Sequence, residues 1–372
     1  MLDKDDLQPN PLTQQLEPPA EADNLRPEPE NLAQVAEIDT MPLHDLVGRS
    51  ILSVGQLNRE HVMAICRLAA WLEAIEISPF QPLDGKLVIT AFFEASTRTR
   101  TSFESAVLRL DGKIISIADG KHTGEAKGES LSDIGEMFNA YGDVVIMRHT
   151  DTDAPERLLE RLRIPLINAG NGTGEHPTQA LADWYALLKW RPELAESVLP
   201  EDERLHLGIL GTPGSMRAVK SFLLMSLLFK ENIRKITVVS EMADPFGEDV
   251  SQVIGDAGID YNVTNDIQTT LSKLDVVYMN SIAFLGDSYK TLDSRYKLDD
   301  QSDLKPGAVV MHPLARLDEL STTLDDTPHN LYFTQAHGAV FVRQALLIAI
   351  CNRFDRLPRA MPEGEAATPQ IS

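Results

Sequence analysis

Short apolar runs, each followed closely by an amphipathic helical pattern, recur along most of this 372-residue chain. The clearest is Leu87-Val-Ile-Thr-Ala-Phe-Phe93, after which a helical pattern opens at Thr97 and continues to Arg109. A strand apolar on both faces needs cover on both faces, which is the situation in a parallel sheet flanked by helices. The spacing predicts strands at 87–93, 113–117, 143–148 and 164–168, with helices near 97–110, 130–141 and 154–163. A helix from Pro177 to Trp190 then leads through Arg191-Pro192 into a polar loop at 193–204, a natural domain junction. The pattern restarts with strands at 205–210, 235–240, 275–279 and 307–311, helices at 215–230, 246–257 and 266–273, and a final helix from Val340 to Arg353. The expected fold class is α/β: two domains, each a parallel β-sheet with helices on both faces. The first domain spans 43–185, completed by the C-terminal helix within 336–356, and the second spans 186–335.

Composition narrows the possible partners. The formal net charge of −22 argues against nucleic acid or an anionic membrane as a main partner. The two cysteines, Cys66 and Cys351, sit in apolar helical patterns and suggest buried reduced thiols. The sequence has no run of 18 or more apolar residues, so no membrane span is expected, and the cytoplasm is the default location. Residues 1–40 hold six prolines and ten acids, with Lys4 and Arg26 as the only bases. Residues 1–42 therefore read as a disordered acidic tail or a docking arm, and 357–372 as a second disordered tail.

The strand-to-helix junction at 93–100 carries the strongest chemical signal. Ser96, Thr97 and Thr99 place hydroxyls and free backbone N–H groups at a helix N-terminus, with Arg98 and Arg100 alongside. Amides, a helix dipole and a guanidinium together suit a dianion such as phosphate. Capping alone would need one hydroxyl and no arginine. Arg148 ends the strand 143–148, where it can converge on the same loop. His176-Pro-Thr-Gln179 follows the strand at 164–168 and starts a helix at Pro177, at the strand carboxyl edge where open α/β sheets bind ligands. A neutral imidazole and a carboxamide there could hold a carbonyl oxygen and an amide NH₂. Lys127 lies in the loop 119–129, too long and polar for a simple connector. His312-Pro-Leu-Ala-Arg316 follows another strand, and its backbone carbonyls could accept hydrogen bonds from an amine. Gly211-Thr-Pro-Gly214 invites a dinucleotide-binding interpretation, but the glycine spacing is not G-x-G-x-x-G, and Arg217 in the first helical turn suits a carboxylate better.

Taken together and in this order, these segments resemble the aspartate/ornithine carbamoyltransferase family, its aspartate branch most closely. The likeness runs from about 45 to 354 through Phe-Phe-Glu-Ala-Ser-Thr-Arg-Thr-Arg, Lys-Gly-Glu-Ser, Val-Ile-Met-Arg-His, Asn-Ala-Gly-Asn-Gly, His-Pro-Thr-Gln, Val-Val-Tyr-Met, His-Pro-Leu and Arg343-Gln-Ala-Leu-Leu. The resemblance implies transfer of the carbamoyl group of carbamoyl phosphate to an amino acid, L-aspartate first, as in pyrimidine biosynthesis. It makes Ser96, Thr97, Arg98 and Thr99 the phosphate cradle, and Arg148 the bridge between phosphate and carbonyl oxygen. His176 would donate to that oxygen, and Gln179 and Leu314 would complete the carbamoyl phosphate site. Arg217 would grip the acceptor's α-carboxylate, and Glu94 would help lock the closed domains. Lys127 would arrive from a neighbouring subunit of a homotrimer with shared active sites, with further assembly open. The resemblance implies no metal and no cofactor.

Two departures affect the acceptor side. Ser281 and Ala283 occupy the positions where the aspartate branch carries an Arg-x-Gln pair for the acceptor's side-chain carboxylate. A buried carboxylate without its cation costs several kcal/mol, so a different amino-acid acceptor is the alternative, with Lys290 a possible substitute cation. Ala315 stands where the family has proline; a cis bond there costs roughly 3–4 kcal/mol without proline, and a reshaped loop is expected. Two rivals of other classes are an inactive paralogue acting as an assembly partner and an NAD-dependent oxidoreductase using Gly211–Gly214.

Overall fold

The computed structural model describes residues 27–33, 39–75, 80–280 and 296–357. Its architecture is the α/β class expected. The first sheet has four strands, β1 (Leu87–Phe92), β2 (Lys113–Ile117), β3 (Val144–His149) and β4 (Leu166–Asn171), in the order β2-β1-β3-β4. The second has five, β5 (Leu205–Leu210), β6 (Ile233–Val239), β7 (Tyr261–Thr264), β8 (Val276–Met279) and β9 (Val309–Met311), in the order β7-β6-β5-β8-β9. Every pairing within both sheets is parallel.

The two-sided apolar runs behave as strand alternation requires. In the first sheet Val88, Phe92, Val144 and Ile146 point into one core, while Ile89, Ala91, Val145 and Met147 point into another. In the second, Leu207, Ile209, Ile236 and Val238 join the first core, whereas Leu210, Val239, Val277 and Met279 build a third. One hydrophobic core is thus continuous between the two sheets and fixes their relation.

The helices are α1 (Glu30–Ala33), α2 (Arg59–Ala74), α3 (Thr97–Arg109), α4 (Leu131–Tyr141), α5 (Ala154–Leu159), α6 (Pro177–Trp190), α7 (Glu193–Glu196), α8 (Arg217–Leu227), α9 (Gly247–Ala257), α10 (Gln268–Leu271) and α11 (Tyr332–Ile350). Helix α11 packs on α2, α3 and α6, so the C-terminal segment completes the first sheet's layer. Its length and apolarity would suffice to cross a membrane, but 72% of the relevant window is buried inside the protein.

Several boundaries differ from expectation. Helix α11 starts at Tyr332 rather than Val340 and ends at Ile350, followed by a short turn at Phe354–Arg356. Gly338 reads as a helix breaker, yet a Cβ there would lie 2.7 Å from the Tyr185 ring, so glycine is what lets α11 approach α6. Strand β7 was not expected, because Tyr261-Asn-Val-Thr264 is a short edge strand with Tyr261 exposed, and it carries no apolar run. Part of the N-terminal segment expected as a disordered tail is ordered: Leu32 and Ala33 in α1 are buried, and α1 packs on α2. Residues 1–26, 34–38 and 358–372 lie outside the described residues. Both cysteines are free; Cys66 is buried as expected, and Cys351 is only half-buried.

Candidate active site

The carboxyl ends of β1, β3, β4, β8 and β9 and the starts of α3, α6 and α8 face one another around a cavity of about 700 Å³. Ser96, Arg98, Thr99, Arg148, His176, Gln179, Arg217 and Leu314 all line it. Of the residues expected there, Thr97 and Lys127 are exposed and do not line this cavity. Ser281, Ala283 and Lys290 lie outside the described residues, while Asn280, at the end of β8, lines the wall.

The junction after β1 explains the first group. Ser96 is the extended residue before α3, but its side chain makes no capping hydrogen bond. Its hydroxyl and the first-turn amides of α3 therefore remain available to a ligand, as a helix N-terminus requires of an anion site. Arg98 faces the cavity, whereas Arg100 turns aside to Glu104 and Ser116.

Arg148 and Arg217 meet through Glu94. Arg148 Nη2 donates to Glu94 Oε1 at 2.9 Å, and Arg217 donates through Nη1 and Nη2 to both carboxylate oxygens, each at 2.9 Å. Burial by itself would raise the Glu94 carboxyl, but the Arg217 and Arg148 hydrogen bonds and charges outweigh it and hold it below the usual range. Glu94 follows β1 of one sheet and Arg217 begins α8 of the other, so this carboxylate ties the two domains across the cavity. Gly170, at φ +112°, makes room for the pair: a Cβ there would lie 3.1 Å from Arg217 Nε and 3.3 Å from Arg148 Nη1. Gly170→Ala is expected to displace both guanidiniums and weaken inorganic phosphate binding about tenfold, the worth of roughly one charge-assisted hydrogen bond. Titration calorimetry reads this, and unchanged affinity would show that the close approach is not needed.

His176 precedes α6, with its backbone N–H on Ser221 Oγ at 2.8 Å. Its Nε2 is buried and has no partner among the described residues. Burial, reinforced by the charges of Arg148, Arg217 and Arg343, pushes its pKa well below the ordinary value of 6.5. The ring is therefore neutral at pH 7. Thr178 Oγ1 lies 3.4 Å from Nδ1; in the tautomer in which this hydroxyl donates, the proton sits on Nε2, which can then donate into the cavity. A consequence for stability follows. Below about pH 6.5 the unfolded chain binds a proton that the native ring refuses, so this residue costs stability as pH falls. His176→Gln is expected to flatten the Tm between about pH 7 and about pH 5, and an unchanged slope would place the acid sensitivity elsewhere.

Arg343 is the site residue that sequence reasoning did not assign. It is fully buried on α11, lines the cavity, lies 4.6 Å over the Phe103 ring and donates to Ser102 Oγ. Burial lowers its pKa to about 9, with Asp183 opposing. Its signal in the sequence was a lone charge inside the apolar run of α11. Four guanidiniums thus surround a cavity that no acidic side chain lines among the described residues, a local positive field within a chain of net charge −22. The Leu314–Ala315 peptide is cis with Leu314 at φ +54°, where a reshaped loop had been expected. Among the described residues no group of three or more His, Cys, Asp or Glu is placed to hold a metal ion.

Two family models match this chain: aspartate/ornithine carbamoyltransferase, carbamoyl-P binding domain, over residues 49–189, and aspartate/ornithine carbamoyltransferase, Asp/Orn binding domain, over residues 203–350. The catalytic subunit of aspartate carbamoyltransferase from Korarchaeum cryptofilum is 37% identical over 310 residues, 81% of this chain and 98% of that one. The chloroplastic aspartate carbamoyltransferase of Arabidopsis thaliana is 35% identical over 302 residues, 78% and 75% of the two chains. Aspartate transcarbamoylase from Trypanosoma cruzi, solved in complex with carbamoyl aspartate and phosphate, matches with a TM-score of 0.74 at 30% identity, covering 85% of this chain and 99% of that one. The same enzyme in complex with carbamoyl phosphate and aspartate matches with a TM-score of 0.72 at 30% identity, covering 82% and 96%.

Proposed function

The chain belongs to the aspartate/ornithine carbamoyltransferase family, and on that premise we propose that it transfers the carbamoyl group of carbamoyl phosphate to the α-amino group of L-aspartate, a step of pyrimidine biosynthesis. The observation that carries this is the convergence of Arg98, Arg148, His176 and Gln179 on one cavity. Ser96, Thr99, Arg98 and the amides of α3 hold the phosphate. Arg148 and the Nε2–H of His176 donate to the carbamoyl oxygen, and Arg217 takes the acceptor's α-carboxylate.

The chemistry follows from that arrangement. The neutral amine attacks the carbamoyl carbon, negative charge develops on the carbonyl oxygen, and the bond to the phosphate oxygen breaks. Donors already aimed at both oxygens stabilise that charge without reorganising, and joint binding of two substrates supplies orientation. His176, held neutral by burial, acts as a hydrogen-bond donor, and the departing phosphate accepts the amine's proton. The direct test is phosphate release from carbamoyl phosphate with a panel of amino acids. Aspartate should give the highest kcat/KM. A higher value with another amino acid would identify a different acceptor, in keeping with Ser281 and Ala283, and silence with every amine would leave the assembly-partner alternative.

A homotrimer with shared sites accounts for Lys127. It lies outside the cavity, in a loop tied to the end of β3 by the 2.9 Å contact between His149 Nε2 and Glu125. Beside this loop, at the edge strand β2, Ile117, Met137, Phe138 and Tyr141 line an apolar recess of about 460 Å³. A neighbouring subunit of a cyclic trimer seated there would receive this chain's Lys127 toward its own cavity. Lys127→Ala and Arg98→Ala variants, each inactive alone, are expected to regain activity when mixed and reassembled. Mixtures that stay inactive would contradict shared sites.

A further inference from the structure

The carboxamide of Gln179 has two ends of similar shape and opposite chemistry: one donates and the other accepts. Its Nε2 donates to Asp183 Oδ1 at 2.7 Å, one turn along α6. Asp183 is fully buried and receives two further donors, Gln335 Nε2 on the same oxygen at 2.5 Å and Tyr278 Oη on the other oxygen at 2.9 Å. While Asp183 is ionised it only accepts, so the NH₂ end of Gln179 faces it. The carbonyl Oε1 is then the end left for the cavity that Gln179 lines.

A second arm runs through Gln335. With its NH₂ held by Asp183, its Oε1 accepts the backbone N–H of His312 at 3.0 Å. His312 Nε2 donates to Glu319 at 2.9 Å, which leaves Nδ1 to accept the backbone N–H of Leu314 at 2.8 Å. The cavity-lining loop at 312–314 is thereby held with its N–H groups turned inward to the protein.

We propose that Asp183 is a positioning residue for carbamoyl phosphate: from behind the cavity wall, one carboxylate turns both the Gln179 amide and the 312–314 loop so that they offer acceptors to the carbamoyl NH₂. This rests on the function proposed above. Burial raises Asp183 to about 7 against the hydrogen bonds of Gln179, Gln335 and Tyr278 and the charge of Arg343, so the buried carboxyl is sustained by the donors it organises.

The test compares two ligands. Acetyl phosphate carries a methyl where carbamoyl phosphate carries NH₂, so it shares every other contact and lacks the N–H groups. Dissociation constants for both are measured by titration calorimetry on the full-length protein. The wild type should prefer carbamoyl phosphate. Asp183→Ala should lose that preference by roughly tenfold, the scale of one hydrogen bond with its orientation lost, with acetyl phosphate binding little changed. Asp183→Asn keeps Oδ1 for both amides and should retain the preference. A purely structural loss would weaken both ligands alike. If Asp183→Ala does not fold, Asp183→Leu fills the volume and takes its place. A folded Ala or Leu variant with the wild-type preference, or an Asn variant that loses it, overturns the proposal. A wild type with no preference for carbamoyl phosphate would instead count against the proposed function.

Discussion

Replacing Arg148 by alanine is expected to lower kcat on the order of 10³-fold, the upper end of what one lost oxyanion donor costs. Arg148 stands at the carboxyl end of β3 with little solvent exposure, and its Nε is buried with no partner among the described residues. In the proposed mechanism it serves the phosphate and the carbonyl oxygen together. Its loss would also leave Glu94 with Arg217 alone, raising that carboxyl toward its ordinary value and loosening the carboxylate that ties the two sheets. The fold should survive, because no core contact runs through the guanidinium. Steady-state kinetics with a Tm measured alongside would separate the two effects. A variant retaining more than about a tenth of wild-type turnover would remove Arg148 from the developing charge.

Arg217→Ala is expected to act on the other substrate. Arg217 presents two nitrogens in a fork, now occupied by Glu94, with Nη1 also donating to the Gly172 carbonyl at 3.1 Å. A fork of this geometry suits a carboxylate held by two hydrogen bonds. Two charge-assisted bonds at about 1.5 kcal/mol each correspond to roughly a 100-fold rise in KM for aspartate. Carbamoyl phosphate affinity should change far less, since Arg98, His176 and the amides of α3 stay in place. Equal loss for both substrates would mean that Arg217 serves the Glu94 tie alone and not the acceptor. Lysine at this position should restore little, because a point charge does not reproduce the fork.

Much of this was legible in the residues, for physical reasons. Strands covered on both faces, such as Leu87–Phe92, must be apolar at most positions on both faces, and that pattern needs no tertiary knowledge. Ser96 to Thr99 and His176 to Gln179 were legible because local chain geometry alone puts them at strand ends and helix starts. Arg343 and Asp183 were not, since each sits in a helix buried nearly all round. Only the meeting of α6, α11 and β8 reveals that Asp183 gathers Gln179, Gln335 and Tyr278. The Glu94 bridge was legible as a role but not as a geometry, because its partners lie 54 and 123 residues away. The edge strand β7 escaped for the opposite reason: it is too exposed to carry an apolar signature.

A crystal structure with carbamoyl phosphate bound tests the central claim most directly. The phosphate should rest on the amides of α3 with Arg98 and Arg148, the carbamoyl oxygen within hydrogen-bond distance of His176 Nε2, and the nitrogen on Gln179 Oε1. A fully occupied ligand that leaves His176 Nε2 unpartnered, or a phosphate bound away from α3, would contradict it.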